Sequence, residues 1–197
     1  MAKGPWLTQV SQIIVVATEG RETEPNYFAF LNNTRSTVKL ICLSKGDRSS
    51  PEHVLKRMTS HLAMKDILKP EMGDEAWIVV DVDCWPAEAL QRLSEWASSK
   101  DCYGLAVSNP CFEYWLLLHI EESQGAATAT HIVKRLERYG ATRGKNLRRE
   151  MFNEQRAVEA ITRARARDTP PCTDWPRNAP GTTVHRLVEK FFADDAH

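Results

Sequence analysis

The sequence predicts an α/β fold of three layers around a central, mostly parallel four-stranded sheet. Short apolar runs of strand length alternate with helix-like segments as far as residue 120, and this alternation is typical of βαβ units. Two of the apolar runs end in carboxylates, which parallel strands bring to one edge of a sheet. After residue 120 the periodic segments are helical. We therefore expect an α/β core over 8–120 and a C-terminal helical extension over 121–197, packed together as one unit.

Local signals support each element of the core. The apolar runs predict strands over 12–17, 38–43, 76–80 and 103–107. Helix starts are expected at Thr23 and Ser50, each close to a proline, because hydroxyl side chains cap helices and proline fits the first turn. Another helix opens near Trp85-Pro86. The helix over 111–119 is apolar nearly all round and is expected to be buried, with His119 as a core residue.

The last third has a different character. Helices are expected near 129–139 and 153–167, followed by a proline-rich loop over 168–181 and a final helix over about 182–192. Four tryptophans are interpreted as core anchors, not as stacking platforms for bases: Trp77, Trp85, Trp96 and Trp115.

Composition argues against attraction by bulk charge. The 197 residues include 26 basic and 26 acidic side chains, so the net charge is zero and favours neither nucleic acid nor a membrane surface. Basic residues do concentrate late in the chain, which fits either a locally positive face or solvated helix surfaces. They are Arg143, Lys145, Arg148, Arg149, Arg156, Arg163, Arg165 and Arg167.

Several function and location classes lack their signatures. The five cysteines form no CxxC pair, which supports neither a disulfide framework nor a zinc site. No P-loop or nucleophile elbow is present, so an ATPase would be a separate chain. The first residues lack the apolar core of a signal peptide, and the longest apolar run, 114–118, is too short to cross a bilayer. We expect a soluble cytoplasmic protein without a membrane partner.

The candidate site is a set of carboxylates at strand ends. Asp81 and Asp83 follow the third strand and lie two apart, so both point to one face. Glu19 follows the first strand, directly before Gly20. Carboxylates packed together without a cation would repel and raise one another's pKa. Because such oxygen donors suit Mg²⁺, which often recruits phosphates, we expect a magnesium site and phosphoryl chemistry.

Other polar residues near the same edge are candidates for phosphate contact. Arg21 follows the Glu-Gly turn, although a salt bridge to a neighbouring glutamate is the alternative. Lys45 lies beyond the second strand, Asn109 ends the fourth, and His185 stands early in the final helix. Glu24 is expected to help cap the first helix or, as the alternative, to act as a ligand.

Longer blocks of sequence resemble a known family. An apolar strand ending in Glu-Gly, and a later one ending in Asp-x-Asp, are similar to the Toprim domain of primases, topoisomerases and OLD-type nucleases. The amino-acid sequence over 18–28, 108–119 and 182–188 resembles that of the RloB-like family, whose genes accompany restriction and abortive-infection loci. The run Ser-Asn-Pro-x-Phe-Glu-x-Trp-Leu-Leu, which begins at Ser108, is the most specific of these motifs.

This resemblance implies a Toprim-like, Rossmann-like core that uses Mg²⁺, with Mn²⁺ as a substitute, for phosphodiester chemistry on nucleic acid. It implies Glu19 as a metal ligand or general acid/base, and Asp81 and Asp83 as metal ligands. Glu113 lies after the fourth strand, either as a fourth acidic group of the site or as a first-turn acid favoured by the helix dipole.

Two functions follow as expectations. The first is a Mg²⁺-dependent nuclease that cuts DNA or RNA, including tRNA, as an effector of bacterial anti-phage defence, with a separate ATPase encoded nearby. The alternative is a non-catalytic Toprim-like subunit that binds nucleic acid or regulates that ATPase. Retained acids favour the enzyme, and the neutral net charge favours the alternative. An exposed sheet edge or the apolar final helix would suit a homodimer.

Overall fold

A mixed sheet forms the centre of the molecule. The computed structural model describes residues 12–32, 37–43, 50–64, 67–82, 85–126 and 128–192. Five strands within these ranges form the sheet in the order β2-β1-β3-β4-β7, with the first four parallel and the last antiparallel to β4. The strands are β1 (Gln12–Thr18), β2 (Val38–Leu43), β3 (Glu75–Asp81), β4 (Tyr103–Asn109), β5 (Thr142–Arg143), β6 (Asn146–Leu147) and β7 (Gly181–Thr182). The remaining pair, β5 and β6, forms a small antiparallel hairpin.

Helices cover both faces of the sheet and confirm the three-layer α/β prediction. The helices of the described ranges are α1 (Thr23–Asn32), α2 (Pro51–Met64), α3 (Ala87–Ala97), α4 (Glu113–Leu118), α5 (Ala129–Arg138), α6 (Glu154–Arg167) and α7 (Val184–Val188). A 3₁₀ turn over Glu189–Phe191 follows α7. Helices α2 and α3 pack on one face, while α1 and α4 to α7 pack on the other.

The strands are apolar throughout because both of their faces are buried. Ile14 and Val16 of β1 pack towards the layer that contains α1 and α4. Val15 and Ala17, which alternate with them, pack towards α2 and α3. A pleated strand directs successive side chains to opposite faces, so a parallel strand covered on both sides has a continuous apolar sequence.

A cluster of aromatic residues fixes α1 against α4. The hydroxyl of Tyr27 lies 3.1 Å from Nε2 of His119, and Nδ1 of His119 lies 3.0 Å from the Trp115 carbonyl oxygen. A carbonyl only accepts, so Nδ1 carries the proton and Nε2 accepts from Tyr27. Burial lowers the pKa of His119 to about 3. His119 is therefore a neutral core residue, as the sequence predicts.

The C-terminal part contributes to the sheet as well as to the helical layer. Helices α5 and α6 pack on α4, and α7 packs on β4. The backbone N–H of Val107 donates to the Thr183 hydroxyl at 2.9 Å, and the Ser108 and Thr182 hydroxyls lie 2.9 Å apart. Strand β7 and the β5–β6 hairpin are additions to the purely helical extension that the sequence predicts. The division at residue 120 stays a prediction.

None of the helices in the described part of the chain combines the length and the apolar character that crossing a bilayer requires.

Candidate functional site

A pocket of about 290 Å³ opens at the carboxyl ends of β1 and β3. These neighbouring strands lie where the strand order reverses direction, which is where open α/β sheets bind ligands. We call it the acidic pocket. Its lining residues are Glu19, Gly20, Arg21, Glu22, Thr23, Glu24, Asp81, Phe112, Glu113 and Lys145.

Asp81 lines the acidic pocket together with the carboxylates of Glu19, Glu24 and Glu113. It ends β3, and burial raises its pKa well above the usual range. The negative charges of Glu24, Glu113 and Glu19 raise the pKa further, and a hydrogen bond from the Phe112 backbone N–H lowers it. The carboxylate thus faces other carboxylates, an arrangement that a bound cation would relieve.

Glu19 is held in place by two donors. One of its oxygens, Oε1, accepts from the indole Nε1–H of Trp85 at 3.0 Å, and Oε2 accepts from the backbone N–H of Asp81 at 3.3 Å. Trp77 and Trp115 are buried, as expected of core anchors. Trp85 is only partly buried, and its indole positions a carboxylate, a role that the sequence interpretation missed.

Glu24 joins the acidic pocket by folding back over the turn before α1. Its Oε1 accepts from the Gly20 backbone N–H at 2.8 Å, and only 5% of the residue is exposed. A Cβ at position 20 would overlap the Glu24 carboxylate, so the approach requires a glycine. Burial raises the pKa of Glu24, as does the charge of Glu113, while Lys145 lowers it. Both expectations for Glu24 fit this position: it caps the turn, and it lies among the candidate ligands.

Glu113 and Arg21 also line the acidic pocket. Glu113 lies in the first turn of α4 and at the same edge, a position that fits both roles expected of it. It raises the pKa of the neighbouring Cys111 thiol, whose burial has the larger effect. Arg21 is exposed where it lines the pocket, and its contact with a phosphate stays a prediction.

Of the four further candidates, two lie in the described part of the chain, Asn109 and His185, and neither lines the acidic pocket. Asp83 and Lys45 lie outside the described residues. Asn109 donates from Nδ2 to the carbonyl oxygens of Pro176 and Arg177, at 3.1 and 3.3 Å.

His185 is buried, with Nδ1 3.2 Å from the Thr182 carbonyl oxygen and Nε2 3.9 Å from Asp168. The hydrogen bonds of Asn109 and His185 stabilise the C-terminal loop and helix. A substrate role for either residue stays a prediction that no contact in the structure supports.

Lys145 is the pocket residue that the sequence interpretation did not single out. It stands in the two-residue turn between β5 and β6, and it is exposed. Strands of two residues carry no periodic pattern, so the hairpin is not predictable from alternation. Gly140, before the hairpin, and Gly144, in its turn, both have positive φ and are the signal that marks these turns.

The donor chemistry of the acidic pocket fits a hard divalent cation. Its candidate ligands are carboxylate oxygens, the donors that Mg²⁺ and Mn²⁺ prefer. In the described residues, no three His, Cys, Asp or Glu side chains converge closely enough to enclose one ion. Mg²⁺ is usually held by one or two carboxylates and completes its shell with water and substrate phosphate, so the residues present fit it.

A comparison with protein families finds a match over most of the chain. The family model described as RloB-like protein matches residues 14–191. The chain belongs to the RloB-like family. No curated protein and no solved structure matches it.

The RloB-like match spans every residue that lines the acidic pocket. The motif that starts at Ser108 forms the end of β4 and the buried helix α4, and it delivers Glu113 to the pocket. The later block over 182–188 supplies part of β7 and the whole of α7, which close the far side of β4.

Proposed function

We propose that this RloB-like protein is a divalent-cation-dependent hydrolase of phosphodiester bonds in nucleic acid. The observation that carries the proposal is the position of Asp81, partly buried at a strand end and faced by Glu19, Glu24 and Glu113. Such an arrangement raises the free energy of the empty site and favours binding of a cation.

Asp81 and Glu113 are the proposed metal-holding residues, with Glu24 beside them and Asp83 added from the sequence. When bound there, Mg²⁺ or Mn²⁺ would supply positive charge that stabilises the phosphoryl oxygens and the leaving oxygen.

Glu19 is the proposed general base. Its carboxylate is oriented by Trp85 and the Asp81 N–H, so it can accept a proton from a water molecule directed at phosphorus. A bond forms between that water oxygen and phosphorus while the ester P–O bond breaks. The leaving oxygen then takes that proton from Glu19, directly or through a water molecule, which returns Glu19 to its charged form.

The biological setting that we propose comes from the family resemblance. The substrate is DNA or RNA, including tRNA, and the protein acts in the cytoplasm as an effector of bacterial anti-phage defence with a separate ATPase encoded nearby. The second candidate function is a non-catalytic subunit that binds nucleic acid or regulates that ATPase. The zero net charge of the chain favours this alternative.

A cleavage assay separates the two functions. Native protein is incubated with DNA and RNA in the presence of Mg²⁺ or Mn²⁺, alone and with the neighbouring ATPase. We expect Asp81→Asn and Glu19→Gln to slow cleavage at least about a hundredfold. Glu88→Gln, at an exposed position in α3, is the matched control and should cleave like the native protein.

Two results would contradict the hydrolase. One is an absence of cleavage by the native protein under every condition, with or without the ATPase. The other is cleavage that survives both substitutions, which would assign the activity to another site or to a contaminant.

A further inference from the structure

The β5–β6 hairpin is the only element of the described C-terminal part that reaches the acidic pocket. Its strands pair Thr142 with Leu147 and Arg143 with Asn146, which leaves Gly144 and Lys145 as the turn. Gly144 has a φ of 60°, and glycine at the first position of a two-residue loop is what a type II′ turn requires. The turn thus presents Lys145 at the tip.

The hairpin is held against the core. The Arg148 backbone N–H donates to the Ala141 carbonyl at 2.9 Å, which continues the pairing beyond the strands. Leu147 packs against the buried core, and the Arg149 guanidinium lies 6.0 Å from the centre of the Phe30 ring. Strand β6 also contacts α1, the helix that carries Glu24. These contacts consequently hold the turn that carries Lys145 beside the acidic pocket.

The cations of this hairpin differ from most arginines of the C-terminal part in their ion pairing. Six arginines there form ion pairs with carboxylates: Arg135, Arg163, Arg165, Arg167, Arg177 and Arg186. No carboxylate in the described ranges lies within ion-pair distance of Arg143, Lys145 or Arg148, and all three are exposed.

The three cations belong to the same hairpin, with Lys145 in its turn, Arg143 in β5 and Arg148 directly after β6. Lys145 lines the acidic pocket itself, whereas Arg143 and Arg148 line a second pocket of about 550 Å³, which Glu137 also lines. Positive charges placed beside an acidic metal site are suited to a ligand that carries several phosphates. One phosphate would face the carboxylates, and those next to it would face the cations.

We propose that the β5–β6 hairpin is the element that binds the substrate strand. Lys145 contacts the phosphate at the acidic pocket, and Arg143 and Arg148 contact phosphates farther along the same strand. This inference rests on the proposed function, because it states how that site holds its polyanionic substrate. Backbone contacts of this kind position a strand without reading its bases, so binding should be independent of sequence.

The test measures binding separately from cleavage. Fluorescence anisotropy with labelled single-stranded DNA and RNA of matched sequence, in EDTA, compares the native protein with Arg143→Ala/Lys145→Ala/Arg148→Ala. We expect the slope of log affinity against log salt to fall by about 2, because each contact to a single-strand phosphate contributes about 0.7. Affinity at low salt should fall at least about tenfold. A difference between the DNA and RNA arms identifies the preferred polymer.

A control variant removes the same charge from another part of the surface. Lys56 of α2, Lys69 before β3 and Lys100 between α3 and β4 are exposed, and none of them lines the acidic pocket or the pocket beside the hairpin. Replacing all three with alanine should leave both the affinity and the salt slope unchanged. If the triple hairpin variant does not fold, Lys145→Glu alone, at the turn tip, should still weaken binding.

The outcomes distinguish this inference from the proposed hydrolase. Equal binding by the hairpin and control variants, or no binding of either polymer by the native protein, would overturn the inference. Native cleavage that persists alongside equal binding leaves the hydrolase intact. Hairpin-dependent binding without any cleavage supports the inference and contradicts the hydrolase.

Discussion

Gly20 and Glu24 act together at the acidic pocket. The missing Cβ of Gly20 leaves the space into which the Glu24 carboxylate folds, and the Gly20 N–H then donates to it. A glycine after Glu19 therefore does more than form a turn, because it adds another carboxylate to those at the strand ends. The two residues are four apart, so the contact depends on how the turn enters α1.

His119 provides a prediction about the dependence of stability on pH. Its pKa is about 3 in the folded state, lowered chiefly by burial and also by the charges of Arg163 and Arg156, against about 6.5 when unfolded. Below about pH 6.5 only the unfolded state takes up this proton, so the free energy of unfolding falls as pH falls towards 3. The limiting slope is about 1.4 kcal/mol per pH unit.

The measurement is urea unfolding of the native protein and of His119→Gln at a series of pH values between about 7 and 5. The native protein should have the larger free energy of unfolding at about pH 7, and its difference from His119→Gln should shrink as pH falls. Asp81 and Glu24, whose pKa values are raised in the folded state, act in the opposite direction but are common to both proteins. An advantage that does not change with pH would show that His119 is not buried in its neutral form.

At the scale of elements, two glycines serve different purposes and should respond differently to substitution. Gly104 of β4 stands opposite Trp77 of β3, and a Cβ there would overlap the Trp77 ring. We expect Gly104→Ala to lower the free energy of unfolding by about 1–3 kcal/mol, because a buried ring between paired strands has little room to move. In Gly20→Ala the Glu24 side chain can move towards solvent, so the loss should be clearly smaller.

Denaturant unfolding of both alanine variants checks this difference. Adding Trp77→Phe to Gly104→Ala should recover part of the lost stability, since the smaller ring leaves space for the new Cβ. Equal losses in the two single variants would contradict the account of the β3–β4 contact.

The sequence predicts well those elements that are long enough to show a clear pattern of apolar residues. The four parallel strands are continuous apolar runs, and the parallel arrangement places Glu19, Asp81 and Glu113 at one edge. The short elements escape prediction: β5, β6 and β7 have two residues each, too few for any alternation. Lys145 could not be placed for the same reason, because its position depends entirely on that hairpin.

At the scale of the molecule, the site combines segments from the N-terminal half of the chain with segments from its C-terminal part. The N-terminal half supplies β1, β3 and α1 with their carboxylates, while residues after 140 supply the hairpin and the strand that closes β4. The zero net charge conceals a local separation of acids in the pocket from cations on the hairpin. Composition cannot show such a separation, since it depends on which segments meet after folding.

The central claim is that the acidic pocket binds a divalent cation, and calorimetric titration with Mg²⁺ and Mn²⁺ tests it without knowledge of the substrate. The native protein and Glu88→Gln should bind the ion equally. Asp81→Asn should weaken binding at least about tenfold, since even the loss of a group that only supports a metal ligand costs about ten- to a hundredfold. A native protein that takes up neither ion, or an Asp81→Asn variant that binds as tightly as the native protein, would contradict the account.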